Sequence, residues 1–118
     1  MLATLQLETG NETPIARIVG ELDASNAPGF TNELKAVVPN TAIGLVLDLS
    51  ETRYMDSSGI HLIFDIADAL RRRQQNLQLV VAPETFVADV LGAISLVGTA
   101  RTSATLPEAL DAVREPAF

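Results

Sequence analysis

The segment from Leu45 to Phe64, LVLDLSETRYMDSSGIHLIF, decides the fold. Its first residues belong to a continuous apolar run, Ile43 to Leu49, which is typical of a central strand covered on both faces. A short loop follows, and Asp56-Ser57-Ser58-Gly59 opens a helix that we predict to run to about Gln74. This order of strand, loop and helix places Ser57 at the cap or in the first turn of the helix.

The residues before this segment predict a hairpin and a helix. Leu2 to Glu8 alternates between apolar and polar positions, as in a half-buried strand, and Ile15 to Val19 returns as the second arm. Gly10-Asn11 is a turn signal between the two arms. Ser25 is predicted to cap a helix that extends to about Val38.

The residues after this segment continue the alternation of helices and strands. The predicted helix from Ser57 has a buried stripe of apolar side chains, namely Ile60, Ile63, Phe64, Ala67 and Leu70. Leu77 to Ala82 is predicted to be a buried strand, and Pro83 to begin a helix that stops at Gly92. A short strand near 100–102 and a last helix, opened by a capping box at 105–108, complete the chain.

The predicted order of elements is β-β-α-β-α-β-α-β-α. A leading hairpin followed by β-α units gives an α/β fold, with a mixed sheet and helices packed on it. We expect residues 1–118 to form one domain, because the chain shows no internal repeat and no linker.

Composition excludes several classes of function. The chain has 118 residues, no Cys and a net charge of −7. The missing thiols rule out thiol chemistry, and the acidic balance disfavours nucleic-acid binding. No basic leader precedes an apolar stretch, and no apolar run approaches the roughly 20 residues that span a bilayer. We therefore expect a soluble, cytoplasmic protein with no membrane partner.

Catalytic alternatives lack essential residues. Asp48 ends a buried strand, as does the phosphoaccepting Asp of a response-regulator receiver, but there is no acidic pair after the first strand and no late Lys, since Lys35 is the only Lys. A serine hydrolase would have to use His61, the only His, four residues from Ser57 on the same helix. Metal and nucleotide motifs are absent from the sequence as well. We expect neither an enzyme nor a cofactor.

The spacing alone leaves two interpretations of Ser57 open. Backbone N–H groups at a helix start lack intrahelical partners and favour an anion, so a phosphoserine would be tolerated there. Asp-Ser-Ser is equally an ordinary capping cluster. Gly59 leaves room for the backbone of a partner to approach closely.

Four segments resemble the STAS family, the anti-sigma-factor antagonists, and the resemblance covers essentially the whole chain. They are Val19–Ala24 (VGELDA), Leu45–Ser50, Tyr54–Ile60 (YMDSSGI) and Leu77–Leu91. The third is the specific one. The family fold is a mixed sheet covered by helices, in agreement with the pattern above.

The resemblance implies that Ser57, directly after Asp56, is a phosphoacceptor. It implies as partners an anti-sigma factor that is also a serine kinase, and a protein serine phosphatase that reverses the modification. Asp23 and Asp56 match acidic positions near the switch, where they position the hydroxyl or repel a phosphate, or serve only as turn and capping residues. The sequence departs from the family at His61, where Gly is frequent. The expected partner-binding residues are Asp23, Ser25, Asp56, Ser58, Gly59, Ile60 and His61.

Within the same family an alternative role stays open. STAS domains also serve as scaffolds in sensor assemblies and as parts of transport systems. An intact Asp-Ser-Ser-Gly segment favours the anti-sigma role.

Overall fold

A computed structural model describes residues 3–9 and 12–115. Within these ranges the chain forms six strands and four helices. The strands are β1 (Ala3–Glu8), β2 (Ile15–Leu22), β3 (Gly44–Asp48), β4 (Thr52–Met55), β5 (Asn76–Val80) and β6 (Arg101–Ser103). The helices are α1 (Ala27–Val37), α2 (Ser57–Arg72), α3 (Phe86–Gly92) and α4 (Leu106–Ala112).

The strands form one mixed sheet, as predicted. Their order is β1-β2-β3-β5-β6, and β4 pairs with the second half of β2. Only the β1–β2 pair is antiparallel among the described strand pairs, with Ala3 opposite Gly20 and Glu8 opposite Ile15. The leading hairpin is thereby confirmed, while Leu2 and the predicted turn at Gly10-Asn11 lie outside the described residues.

Side chains alternate along the central strands and build a core on each face of the sheet. Leu45, Leu47 and Leu79 point into the larger core, which α1, α2 and α3 cover. Val46 and Val80 point the other way and meet Ala109 of α4. Strands buried on both faces explain the continuous apolar runs of the sequence.

The strand β4 was missed by the sequence prediction, which treated this segment as a loop. Thr52 and Met55 are buried, whereas Arg53 and Tyr54 are exposed. The Thr52 hydroxyl donates a hydrogen bond to the Ile18 carbonyl (2.7 Å). Four residues with two polar members are too short for alternation to be recognised, so only pairing with β2 defines the strand.

Two helices begin later than predicted. Helix α1 starts at Ala27, because Ser25 uses its hydroxyl to bond Asp23 and does not cap the helix. Helix α3 starts at Phe86 and not at Pro83, since Glu84 has a positive φ of 62° that is incompatible with a right-handed helix. Thr85 caps α3 instead, by accepting a hydrogen bond from the Ala88 N–H (3.2 Å).

Helix α2 starts where the sequence predicts, at Ser57, and is 16 residues long. Its buried arc includes Leu62, Ile66 and Leu70, and not Phe64, which is 38% exposed. The prediction for Phe64 is wrong because, at 100° per residue, it lies on the solvent side of that arc. Among the described helices, none is both long and apolar enough to cross a membrane.

Candidate functional site

The loop after β2 is held by short-range hydrogen bonds. The Asp23 carboxylate accepts from both the backbone N–H (2.9 Å) and the hydroxyl (2.5 Å) of Ser25. The Asn26 side chain bonds back to the end of β2 and to the loop. Its amide nitrogen donates to the Glu21 carbonyl (2.8 Å), and its side-chain oxygen accepts from the Asp23 N–H (3.0 Å). Asp23 and Ser25 are thus turn residues that fix the approach to α1. Asn26, which the sequence prediction overlooked, is the residue that locks this turn.

The hydrogen bonds of this turn change the pKa of Asp23. The hydrogen bond from the Ser25 hydroxyl, followed by that from the Ser25 N–H, lowers the pKa of Asp23 below its ordinary value. Both bonds favour the charged form of the carboxylate. The loop therefore presents a stable negative charge at the end of β2.

A second acidic residue, Asp56, caps α2. Its side-chain oxygen accepts a hydrogen bond from the Ser58 N–H (2.8 Å), and its carbonyl accepts from the Gly59 N–H (3.0 Å). Ser57 is the first helical residue and its side chain is exposed. The predicted placement of Ser57 at the mouth of a helix is confirmed, and Asp56 is its cap.

The two loops meet because their strands are paired. Leu22, the last residue of β2, is in register with Met55, the last residue of β4. The Asp56 N–H then donates to the Leu22 carbonyl (3.4 Å). Asp23 and Asp56 consequently follow adjacent parallel strands at the carboxyl end of the sheet, as expected for functional residues in an open α/β fold.

This geometry changes the electrostatic prediction for Ser57. The carboxylate of Asp56 already occupies the favourable place for an anion at the N-terminus of α2, where it binds the Ser58 N–H. A phosphate on Ser57 would therefore add its charge next to an existing anion, with Asp23 on the neighbouring loop. Repulsion, more than attraction to free N–H groups, is the expected local effect.

Gly59 has a packing role that the sequence did not reveal, while its predicted contact with a partner stays a prediction. The residue is buried, and a Cβ placed there would lie 2.4 Å from Met55 Cγ and 3.0 Å from Leu22 Cδ2. The missing side chain lets α2 approach the ends of β2 and β4 closely. Gly59 thus positions the helix start that carries Ser57.

The three other candidates on α2 separate into two groups. Ser58 and His61 line a groove between α1 and α2, and His61 is exposed. Ile60 is half-buried and packs against the larger core. The remaining lining of the groove is Ala27, Pro28, Thr31, Asn32, Lys35 and Asp65.

Asp48 is committed to a structural role. It is 3% exposed, and its carboxylate accepts hydrogen bonds from Arg17 Nε (3.1 Å) and from the Ser50 N–H (2.9 Å). A phosphoaccepting Asp must be reachable by the phosphodonor, so this burial argues against the receiver alternative. Within residues 3–9 and 12–115, no cluster of three His, Asp or Glu is arranged to hold a metal ion.

An exposed aromatic pair stands at the same end of the sheet. Tyr54 of β4 and Phe86 of α3 stack with their ring centroids 5.4 Å apart and an interplanar angle of 14°. Their side chains are 39% and 49% exposed. The sequence prediction missed this pair, because it did not predict β4 and because no local pattern reveals a contact between Tyr54 and Phe86.

A mixed sheet covered by helices, with Ser57 at a helix start, agrees with the fold expected from the resemblance of the sequence. Residues 4–109 match the STAS domain, and the chain belongs to this family. The match includes Asp23, Asp56 and Ser57.

Relatives agree with this assignment. The chain is 37% identical over 62 residues to an anti-sigma-B factor antagonist of Listeria monocytogenes, covering 52% of this chain and 54% of that protein. The chain thus spans about half the length of the curated relatives it matches. Solved structures cover more of it. The anti-sigma factor antagonist SpoIIAA, in its unphosphorylated form, gives a TM-score of 0.70 at 25% identity over 94% of this chain and 98% of that chain. An anti-sigma factor antagonist from Mycobacterium paratuberculosis gives 0.79 at 25% identity over 97% and 96%.

Proposed function

We propose that this chain is a cytoplasmic anti-sigma-factor antagonist switched by phosphorylation of Ser57. Its unphosphorylated form binds an anti-sigma factor that is also a serine kinase, and thereby frees a sigma factor. Membership of the STAS family and the names of the relatives support this role. The observation that carries it is the exposed Ser57 hydroxyl at the first position of α2. Such a protein acts by binding and not by catalysis.

The docking surface would be centred on Ser57. Ser58 and His61 extend it along the groove, and the first turns of α1 form the opposite wall. The Asp23–Ser25 turn borders it at the end of β2. Gly59 and Ile60 would support this surface from beneath through their packing on the core.

Phosphorylation would weaken docking through charge. A phosphoserine adds about −1.5 to −2 charges at pH 7. These charges would appear beside the carboxylates of Asp56 and Asp23, in a contact that must exclude water. Losing two direct hydrogen bonds and desolvating the phosphate would cost about 3–4 kcal/mol, or several hundred-fold in affinity.

The fold itself need not change during this switch. The Asp56 cap uses the Ser58 N–H and not the Ser57 hydroxyl, and the exposed Ser57 side chain leaves space for the group. The same exposure would make the phosphoserine accessible to a protein serine phosphatase. The charge therefore acts at the interface and is reversible.

Titration calorimetry with the purified anti-sigma kinase of the same organism tests the proposal. Wild type and Ser57→Ala are expected to bind with similar affinity, and Ser57→Asp to bind at least about tenfold more weakly, since Asp supplies part of the phosphate charge. Ser95→Asp adds the same charge at another exposed serine and is the matched control.

Two results would contradict the proposal. Equal binding of Ser57→Asp and wild type would remove Ser57 from the interface. Failure of wild type to bind the kinase or to displace the sigma factor would favour the scaffold or transport role of other STAS domains.

A further inference from the structure

The aromatic side chains of this protein are largely outside its core. Four are described, namely Phe30, Tyr54, Phe64 and Phe86, and only Phe30 is less than 38% exposed. An aromatic side chain buries about 150–250 Å² when it lies in a core, and such side chains normally dominate the energetics of the core. The Tyr54–Phe86 stack therefore keeps part of two aromatic rings accessible at the surface.

The stack lies at the end of the sheet that carries Ser57. Tyr54 precedes Ser57 by three residues, in the strand whose end leads into α2. Phe86 is the first residue of α3, which follows the carboxyl end of β5 and packs on β4. A partner seated over the β4–α2 turn would also contact the aromatic pair.

The charged residues that neighbour the pair in sequence or in strand register are predominantly acidic. Glu21 is the register partner of Tyr54 in β2, and Asp56 follows two residues after Tyr54. Glu84 precedes Phe86, and Asp89 lies in the first turn of α3. Arg53 is the one cation beside these four acidic residues, so the five residues together carry a net charge of −3. An arginine is the side chain that can stack on aromatic rings and also pair with neighbouring carboxylates.

We propose that the Tyr54–Phe86 stack is the apolar anchor of the anti-sigma-factor interface and receives a basic segment of that partner, with an arginine on the rings. This inference rests on the proposed function and adds to it the chemistry of the partner surface. Aromatic residues surrounded by a polar rim are typical binding hot spots. The anchor supplies affinity, while Ser57 supplies the switch.

Alanine substitution tests the anchor against the same purified anti-sigma factor. Phe86→Ala is expected to raise the dissociation constant about 10- to 30-fold, and Tyr54→Phe, which keeps the ring, less than about threefold. Ile43→Ala is the matched control, because Ile43 is 46% exposed but precedes β3 at the opposite end of the sheet. It should change binding less than about twofold. Raising NaCl from about 50 to 300 mM should weaken wild-type binding about tenfold.

Phe86→Leu retains apolar bulk without the stacked ring and carries the test if Phe86→Ala loses its fold. It is expected to bind about fivefold more weakly than wild type. Thermal melting identifies any unfolded variant before binding is measured.

The outcomes separate this inference from the proposed function. If Ser57→Asp releases the partner but the Phe86 variants bind like wild type, the anchor is wrong and the switch stands. If wild type does not bind the partner, both fail. If wild type self-associates in light scattering and Phe86→Ala is monomeric, the stack is an interface between copies of this chain and the proposed anchor is overturned. Binding that is insensitive to salt would contradict the basic segment.

Discussion

The two ends of α2 are held in different ways. Near its start, the side-chain hydrogen bonds of Asp56, and of Asp23 and Asn26 in the neighbouring β2–α1 loop, span five residues or fewer. At its end, Gln75 and Asn76 donate to carbonyls 33 to 37 residues away. Side-chain hydrogen bonds at the far end therefore join distant segments, whereas those near Ser57 join close neighbours in the chain. A charge added at Ser57, as proposed above, would leave the long-range side-chain bonds of the far end untouched.

Removing the long-range hydrogen bonds of Gln75 at the far end of α2 should have the largest effect on stability. Gln75 is 2% exposed, and its amide nitrogen donates to the carbonyls of Pro39 and Ala42 at 2.8 Å each. Gln75→Ala leaves both carbonyls without this donor and should lower the free energy of unfolding by about 2–4 kcal/mol. Urea denaturation measures the change. If Gln75→Ala lowers the free energy of unfolding less than Ser57→Ala does, the two ends of α2 do not differ in this way.

Close packing beneath Ser57 should have the next largest effect. The Cβ of Gly59→Ala would press on Met55 and Leu22, at a cost of about 1–3 kcal/mol that the gain in helix propensity of about 1 kcal/mol only partly offsets. Gly29→Ala is the control, because Gly29 is also helical but has no heavy atom within 4 Å of its Cβ position.

Opposite signs are expected for the two glycines. Gly29→Ala should stabilise the protein by about 0.5–1 kcal/mol in the same denaturation experiment. A Gly59→Ala variant as stable as wild type would indicate that the helix start is loosely packed.

The two ends of α2 also differ in how well the sequence predicts them. The start of α2 was predictable, because Asp56 and Ser57 have the chemistry of a cap and directly follow a strand-loop segment. The buried strands were predictable from their continuous apolar runs. The hydrogen bonds of the Gln75 and Asn76 side chains could not be predicted, since they join residues more than 30 positions apart.

Two local errors have related causes. Strand β4 owes its identity to pairing with β2, and four residues contain too little periodicity to reveal that pairing. The role of Gly59 depends on how near Met55 and Leu22 lie, which only the packing of α2 on the sheet determines. In both cases tertiary contact decides what the local sequence leaves open.

The cap of α2 offers a more moderate prediction. Asp56→Ala removes the acceptor of the Ser58 N–H and should lower stability by about 0.5–2 kcal/mol. Asp56→Asn keeps an acceptor oxygen and should lose much less. The difference between the two variants in chemical denaturation separates capping from charge. Equal losses would show that the negative charge of Asp56, and not its hydrogen bond, stabilises the helix.

The smallest expected effect concerns Asp23. Its pKa is lowered in the folded state by the Ser25 hydroxyl and N–H, so its contribution to stability is present above the unfolded-state pKa of about 3.9 and is lost as the pH falls through the folded-state pKa. Ser25→Ala should raise the pKa of Asp23 towards the ordinary value. NMR titration of the Asp23 carboxyl carbon measures it. An unchanged pKa would show that the Ser25 hydroxyl does not hold this turn.

Mapping the phosphate by mass spectrometry, after incubation with ATP and the purified anti-sigma kinase, tests the central proposal most directly. We expect one phosphate on the peptide that contains Ser57, with fragment ions that assign it to Ser57, and none on Ser57→Ala. A phosphate that persists on Ser57→Ala, or that maps to Ser58 in the wild type, would contradict it.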